Sequence, residues 1–285
     1  MEKSQSKSSL FLILVIWGIS LGDSMPLENV DSQKVLNLTN RSNTVFGNPE
    51  QKTKEVFVEA YHQATQSPGE MGDYFQGDMI LPTETRNGVL HPDYRWPGGV
   101  VPYVIEGLYH ENELGNLKGA FYEYHNKTCV RFIERTTQRD YISIVSYTNG
   151  CFAKVGRWGG RQEVHLNSTG CLQDIGTPVH ELMHALGFWH EQSRPDRDLY
   201  VRVITEHIKT DRVDNFRKYS FEEVTTFGEK YDYFSVMHYS SDAFSKYKGL
   251  PTIVAWDPNI TSLGQRTGLS PTDVRKINAM YNCRV

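Results

Sequence analysis

Eleven residues constrain this chain more than any others: His180-Glu181-Leu182-Met183-His184-Ala185-Leu186-Gly187-Phe188-Trp189-His190. On a helix, positions i and i+4 lie one turn apart on the same face, so His180 and His184 aim two imidazoles at one point. Glu181 stands one position further round, close to that point but off it. Zinc in a catalytic site takes three protein ligands and keeps one position open, and two histidines are one short. Gly187 supplies the remedy, because glycine tolerates positive φ and lets the helix stop while the chain turns sharply. His190 then swings back as the third ligand. The expectation is a helix over 177–188, zinc on His180, His184 and His190, and Glu181 placed to take a proton from water at the open position.

Downstream, Ser235-Val236-Met237-His238-Tyr239 places a methionine where a tight turn beneath the three histidines would complete the metzincin pattern. With the run Glu191-Gln192-Ser193-Arg194-Pro195-Asp196-Arg197-Asp198, the chain closely resembles the astacins, and the likeness extends from Phe75 to Cys283. It implies an α+β metzincin fold: a twisted sheet and two long helices above a cleft, and a less regular lower part held by the Met237 turn and a C-terminal helix. It also implies a secreted zinc endopeptidase with one zinc per chain, acting as a monomer on an extended peptide or protein substrate in the cleft. Tyr239 resembles the astacin tyrosine that ligates resting zinc, then turns to hydrogen-bond the oxyanion; His238 is expected to pack or hydrogen-bond. A bare HExxH also occurs on ordinary exposed helices, but Gly187, His190 and Met237 at fixed offsets make that reading poor. Two alternatives stay open: a catalytically silent interaction module of the same family, and a zinc hydrolase of small amides.

The first 24 residues read as a signal peptide, with Lys3 and Lys7 ahead of an apolar run of twelve residues from Leu10 to Leu21, too short to span a bilayer comfortably. Nothing else in the sequence is apolar enough to cross one. A formal net charge of -4 offers nothing to nucleic acid. Residues 25–86 are polar and read as a propeptide, with glycosylation acceptors at Asn37 and Asn40. Phe75-Gln76-Gly77-Asp78-Met79 resembles the astacin propeptide motif, in which an aspartate takes the open zinc position; Asp78 is then the zymogen switch. The expected activating cut is Arg86-Asn87, leaving a catalytic domain at 87–285. The resemblance makes Glu191 the partner of the freed Asn87 ammonium.

Within that domain, strands are expected at 100–106, 130–134, 141–147 and 163–166, and the resemblance makes the last the sheet edge that pairs with substrate. A helix is expected over 111–127 with Leu114, Leu117, Phe121 and Tyr124 inward. Ser270-Pro271-Thr272-Asp273 reads as an N-cap with proline at the first helical position, opening a last helix to about Tyr281. Cys129, Cys151, Cys171 and Cys283 allow three disulfide connectivities; the resemblance implies Cys129–Cys283 and Cys151–Cys171. Asn126, Asn167 and Asn259 begin further sequons. The Leu263–Thr267 segment resembles that of meprins and tolloid-type proteases, which implies that Arg266 lines the pocket just after the scissile bond. Pairing of Arg266 with an acid such as Asp273 is the competing reading.

Overall fold

The computed structural model describes residues 68–81 and 91–284. The expected signal peptide, the Arg86–Asn87 bond and the sequons at Asn37 and Asn40 lie outside those residues.

One sheet carries six strands: β1 Met79–Ile80, β2 Val100–Ile105, β3 Arg131–Glu134, β4 Tyr141–Val145, β5 Cys151–Lys154 and β6 Arg161–Leu166, in the order β1-β5-β6-β4-β2-β3. Strands β2, β3, β4 and β6 are parallel, and β5 runs antiparallel to β6. Ile142, Ser143, Ile144 and Val145 of β4 are fully buried, as suits a central strand covered on both faces. The expectation that residues 163–166 form the sheet edge is overturned. β6 lies between β4 and β5, and the edge of the main sheet is β5, which holds β1 in parallel register. The apolar run Cys151-Phe152-Ala153 turns back from β6 as a hairpin arm and covers it.

Helix α1, Glu111–Lys127, buries Leu117, Ala120, Phe121 and Tyr124 at helical spacing, while Leu114 is only partly covered. Its Glu113 caps the start by accepting the His110 amide at 2.7 Å and then holds Ser168 Oγ at 2.9 Å. Helix α2, Gly176–Leu186, is buried at every residue and packs against α1 and β5. It ends two residues before the expected Phe188, because Gly187 adopts φ 111° and caps it in the left-handed region. Three side chains brace its carbonyls: Trp96 Nε1 donates to Ala185 O (2.9 Å), Tyr124 Oη to Val179 O (2.7 Å) and Tyr281 Oη to Leu186 O (2.8 Å).

Below the sheet the chain is mostly turns, with a two-stranded antiparallel ribbon of β7 Val201–Val203 and β8 Ile253–Ala255. It has a smaller core of its own, built on Val201, Phe216, Tyr231, Tyr239, Phe244 and Ile253. Helix α3, Pro271–Met280, opens on the expected cap: Ser270 Oγ accepts the Asp273 amide at 2.9 Å, and Asp273 returns a bond to the Ser270 amide at 3.0 Å. Both expected disulfides form: Cys129–Cys283 ties the end of α1 to the C-terminus, and Cys151–Cys171 braces β5. Among the described residues no helix is long and apolar enough to cross a membrane.

Candidate metal centre

His180 and His184 project from α2, and the turn at Gly187 returns His190 to the same point. The Nε2 atoms of His184 and His190 lie 3.1 and 3.3 Å from that of His180. Asp78 completes the group, with Oδ2 at 3.0 Å from His180 Nε2 and 3.2 Å from His190 Nε2, and Oδ1 at 3.5 Å from His184 Nε2. Four ligands at zinc bond lengths of about 2.0–2.1 Å in tetrahedral array stand about 3.3 Å apart, so these separations fit that ion. The outer nitrogens set the tautomers: His180 Nδ1 donates to Val236 O and His184 Nδ1 to Phe188 O, both at 2.7 Å. A carbonyl only accepts, so the Nε2 lone pairs face the centre. Burial, helped by the Arg266 cation, pushes the His180 pKa down to about 3, and burial pushes His190 down to about 4 despite Asp78 beside it. Both imidazoles are therefore held neutral, the form that ligates a metal. Burial alone would raise the Asp78 carboxyl; the fields of His190 and His184, with the histidine hydrogen bonds, outweigh it and hold it well below the carboxylate range.

Glu181 is fully buried beside this cluster and outside it, and neither carboxylate oxygen has a protein partner. Burial first, and the Asp78 charge second, hold its carboxyl well above the usual range. A desolvated carboxylate of that kind is a strengthened proton acceptor. Met237, 1% exposed, lies in the turn that closes the site from below, where the His238 amide donates to Ser235 O at 3.1 Å. Asp273 of the α3 cap anchors that turn through Ser235 Oγ (2.6 Å) and the Val236 amide (2.9 Å). One path of bonds thus runs from the α3 cap through Val236 to His180. His238 packs and hydrogen-bonds as expected, meeting the Tyr231 hydroxyl at 2.7 Å. The Tyr239 ring lies 4.6 Å from that of His190, and its hydroxyl donates to Gln76 O at 2.5 Å.

Residues 72–81 fill the cleft. Gln76 and Gly77 take φ of 50° and 89°, and a Cβ on Gly77 would lie 2.6 Å from Gly69 O and 2.8 Å from Phe244 Cζ. Only glycine fits there, and the turn it permits delivers Asp78 to the histidines. Gln76 sat inside the quoted motif without an assigned role; its Oε1 accepts from His190 Nδ1 at 3.0 Å and from Ser193 Oγ at 3.1 Å. Tyr74 stacks on Phe152 of the edge strand at 3.8 Å between centroids, and Arg212 holds Gly72 O and the Asp73 carboxylate.

The remaining expected residues are placed as follows. Glu191 is buried and holds two cations, Lys276 Nζ at 2.5 Å and Arg194 Nη1 at 3.1 Å. Arg266 lies beneath the centre, its Nη2 3.7 Å from Glu70 Oε1, while Asp273 is engaged by the Met237 turn. Asn126 and Asn259 are exposed. Asn167 is buried and donates Nδ2 to Thr148 O at 3.0 Å.

The family model for Astacin, a peptidase family, matches residues 88–282. The chain belongs to the astacin family. Among curated relatives it is similar to Zinc metalloproteinase nas-8 of Steinernema carpocapsae, 48% identical over 200 residues that cover 70% of this chain and 47% of the relative. It is likewise similar to High choriolytic enzyme 1 of Oryzias latipes, 46% identical over 217 residues, 73% of this chain and 78% of the relative. The chain spans about half the length of the two nas-8 relatives, 47% and 49%. The solved structure of High choriolytic enzyme 1, a hatching enzyme zinc-protease, superposes with a TM-score of 0.62 at 43% identity, over 67% of this chain and 94% of that one. The α+β astacin fold expected from the sequence is thereby borne out. In this astacin, Asp78 and the strand β1 precede the matched region and lie in its cleft.

Proposed function

We propose that this astacin is a secreted zinc endopeptidase, made as a latent precursor with signal peptide 1–24 and propeptide 25–86, and active as a monomer. The observation that carries this reading is the cluster of three imidazoles and Asp78 at tetrahedral separations, with Glu181 unpartnered beside it. Its relatives' names, a zinc metalloproteinase and a choriolytic enzyme, support the same class. His180, His184 and His190 hold one zinc, which when bound supplies Lewis acidity and lowers the pKa of water. Glu181 accepts the proton of the attacking water and returns it to the leaving amine. The Tyr239 hydroxyl, freed from Gln76, donates to the developing oxyanion. The extended substrate takes main-chain hydrogen bonds from β5 once β1 has left that edge.

Asp78 among the three imidazoles would take the place a water needs there, leaving Glu181 no water to activate, and this would keep the uncut chain latent. Cutting after Arg86 releases the segment, and the new ammonium of Asn87 joins Glu191. That carboxylate borders a cavity also lined by Gly187, Ser235, Lys276 and Met280, which gives a chain end room to enter. Arg266 sets a preference for Asp or Glu just after the scissile bond, as its fork of donors matches a carboxylate. Cleavage of casein and of a peptide library by the cut chain tests the reading. Activity abolished by a chelator, with acidic enrichment at that position that Arg266→Ala flattens, is expected. Undiminished cleavage under chelation rejects the zinc mechanism, and enrichment of small neutral residues rejects the role given to Arg266.

A further inference from the structure

A second propeptide carboxylate is buried in the cleft, apart from the metal ligands. Glu70 is 1% exposed. Its Oε1 accepts the Ser240 backbone N–H at 2.6 Å, and its Oε2 accepts the Ser240 hydroxyl at 2.5 Å. The Arg266 guanidinium adds a positive field, Nη2 standing 3.7 Å from Oε1. Arg266 is itself fixed, because its Nη1 donates to Val236 O at 3.0 Å and His238 O at 3.2 Å on either side of Met237. Asp242 Oδ1 is the other acceptor near Ser240 Oγ, at 3.3 Å, and the shorter contact is to Glu70.

Two glycines build this pocket by letting backbones approach. A Cβ on Gly176 would lie 2.0 Å from Arg266 O, so the Arg266 segment reaches the start of α2 only because no side chain is there. A Cβ on Gly264, where φ is +79°, would lie 2.5 Å from the Ser240 amide nitrogen. The pocket adjoins the metal centre: a Cβ on Gly69, next to Glu70, would lie 2.7 Å from Asp78 Oδ2. Burying a carboxylate is costly unless charge-assisted donors replace its water, and here Ser240 presents two donors and Arg266 a cation to one buried acid.

We infer that Ser240 and Arg266 form a carboxylate-recognition subsite beside the metal, and that Glu70 fills it in the latent chain as a stand-in for an acidic substrate side chain. Ser240 is then a specificity-determining residue, and the propeptide closes the cleft with two carboxylates: Asp78 on the metal and Glu70 in the side-chain pocket. This deepens the endopeptidase reading and rests on it for the identity of the natural occupant.

The full-length chain, uncut and after cleavage at Arg86–Asn87, provides the test. Amide hydrogen exchange at Ser240 in the uncut chain reads the Glu70 contact without requiring activity. Glu70→Gln keeps the shape and removes the charge. It is expected to speed that exchange about tenfold and to raise the ratio of uncut to cut activity on a neutral peptide by a similar factor. In the cut chain, Ser240→Ala is expected to raise the ratio of KM for peptides with Asp or Glu after the scissile bond to KM for neutral peptides about tenfold. Unaltered exchange at Ser240 in Glu70→Gln overturns the inference, as does an equal KM change for acidic and neutral peptides in Ser240→Ala. A cut wild-type chain that cleaves no peptide defeats the endopeptidase reading instead, and exchange at Ser240 then still decides whether Glu70 occupies the subsite.

Discussion

The two sides of the cleft are made by different means. The metal side is held by regular structure: α2 places two histidines, Gly187 turns the third inward, and the α3 cap fixes the Met237 turn behind them. The opposite side, residues 68–81, has a strand of only two residues, β1, and otherwise stays in place through separate contacts. Asp78 enters the histidine cluster, the Gln76 side chain bonds His190 while its backbone carbonyl accepts from Tyr239, Glu70 bonds Ser240, and Tyr74 packs on Phe152. A segment held by one two-residue strand and by single contacts can be withdrawn with little disturbance of the fold it leaves.

The largest effect should come from the metal side. Glu181→Ala in the cut chain is expected to keep zinc and fold but lower kcat by about 10²–10⁴-fold. Retained turnover in steady-state peptide assays would break the comparison at its functional end. Tyr239→Phe should retain zinc and substrate KM while kcat drops by about 10²-fold, one oxyanion donor being lost; a change in KM alone would make Tyr239 a binding residue only.

On the side of residues 68–81 the effect is smaller and opposite in sign. Asp78→Ala in the uncut chain should raise activity by about tenfold or more, since a charge-assisted ligand leaves the fourth position. An uncut wild type already as active as the cut chain would contradict both the latch and the cut.

The division between the two sides also explains what the sequence disclosed. The zinc helix, its stop at Gly187 and the Ser270 cap are local patterns, and each was legible in consecutive residues. Asp78 was legible only because its motif resembles the family's. The sheet edge was misplaced because β5 and β6 are both short, and which lies outermost is decided by pairing, which no local period reports. Glu70 carries no local mark at all: its partner Ser240 lies 170 residues further along. The sequon at Asn167 marks an acceptor chemically, yet its side chain is folded inward to Thr148 O.

A separate effect, on stability rather than activity, lies under the edge strand. His165 stacks on Phe152 at 4.0 Å and meets Glu163 Oε2 at 2.8 Å and Thr148 Oγ1 at 2.7 Å. Burial pushes its pKa down to about 4 against the attraction of Glu163, with Arg161 and Lys154 adding to the depression. The unfolded chain takes up the proton first as pH falls, so this contribution is whole above about pH 6.5 and is lost progressively down to about pH 4. The loss is at most about 3 kcal/mol. Denaturant unfolding across that range should show it, and His165→Gln should flatten it; an unchanged acid limb in the variant would place the titration elsewhere.

Metal content tests the central claim most directly. Uncut chain equilibrated with zinc and then desalted should carry one zinc, as wild type and as Asp78→Ala, because three imidazoles suffice to hold it. His184→Ala should carry little, with its two remaining histidines unable to retain the ion. Wild type without zinc, or His184→Ala with a full equivalent, would show that the cluster of His180, His184 and His190 is not the metal centre described here.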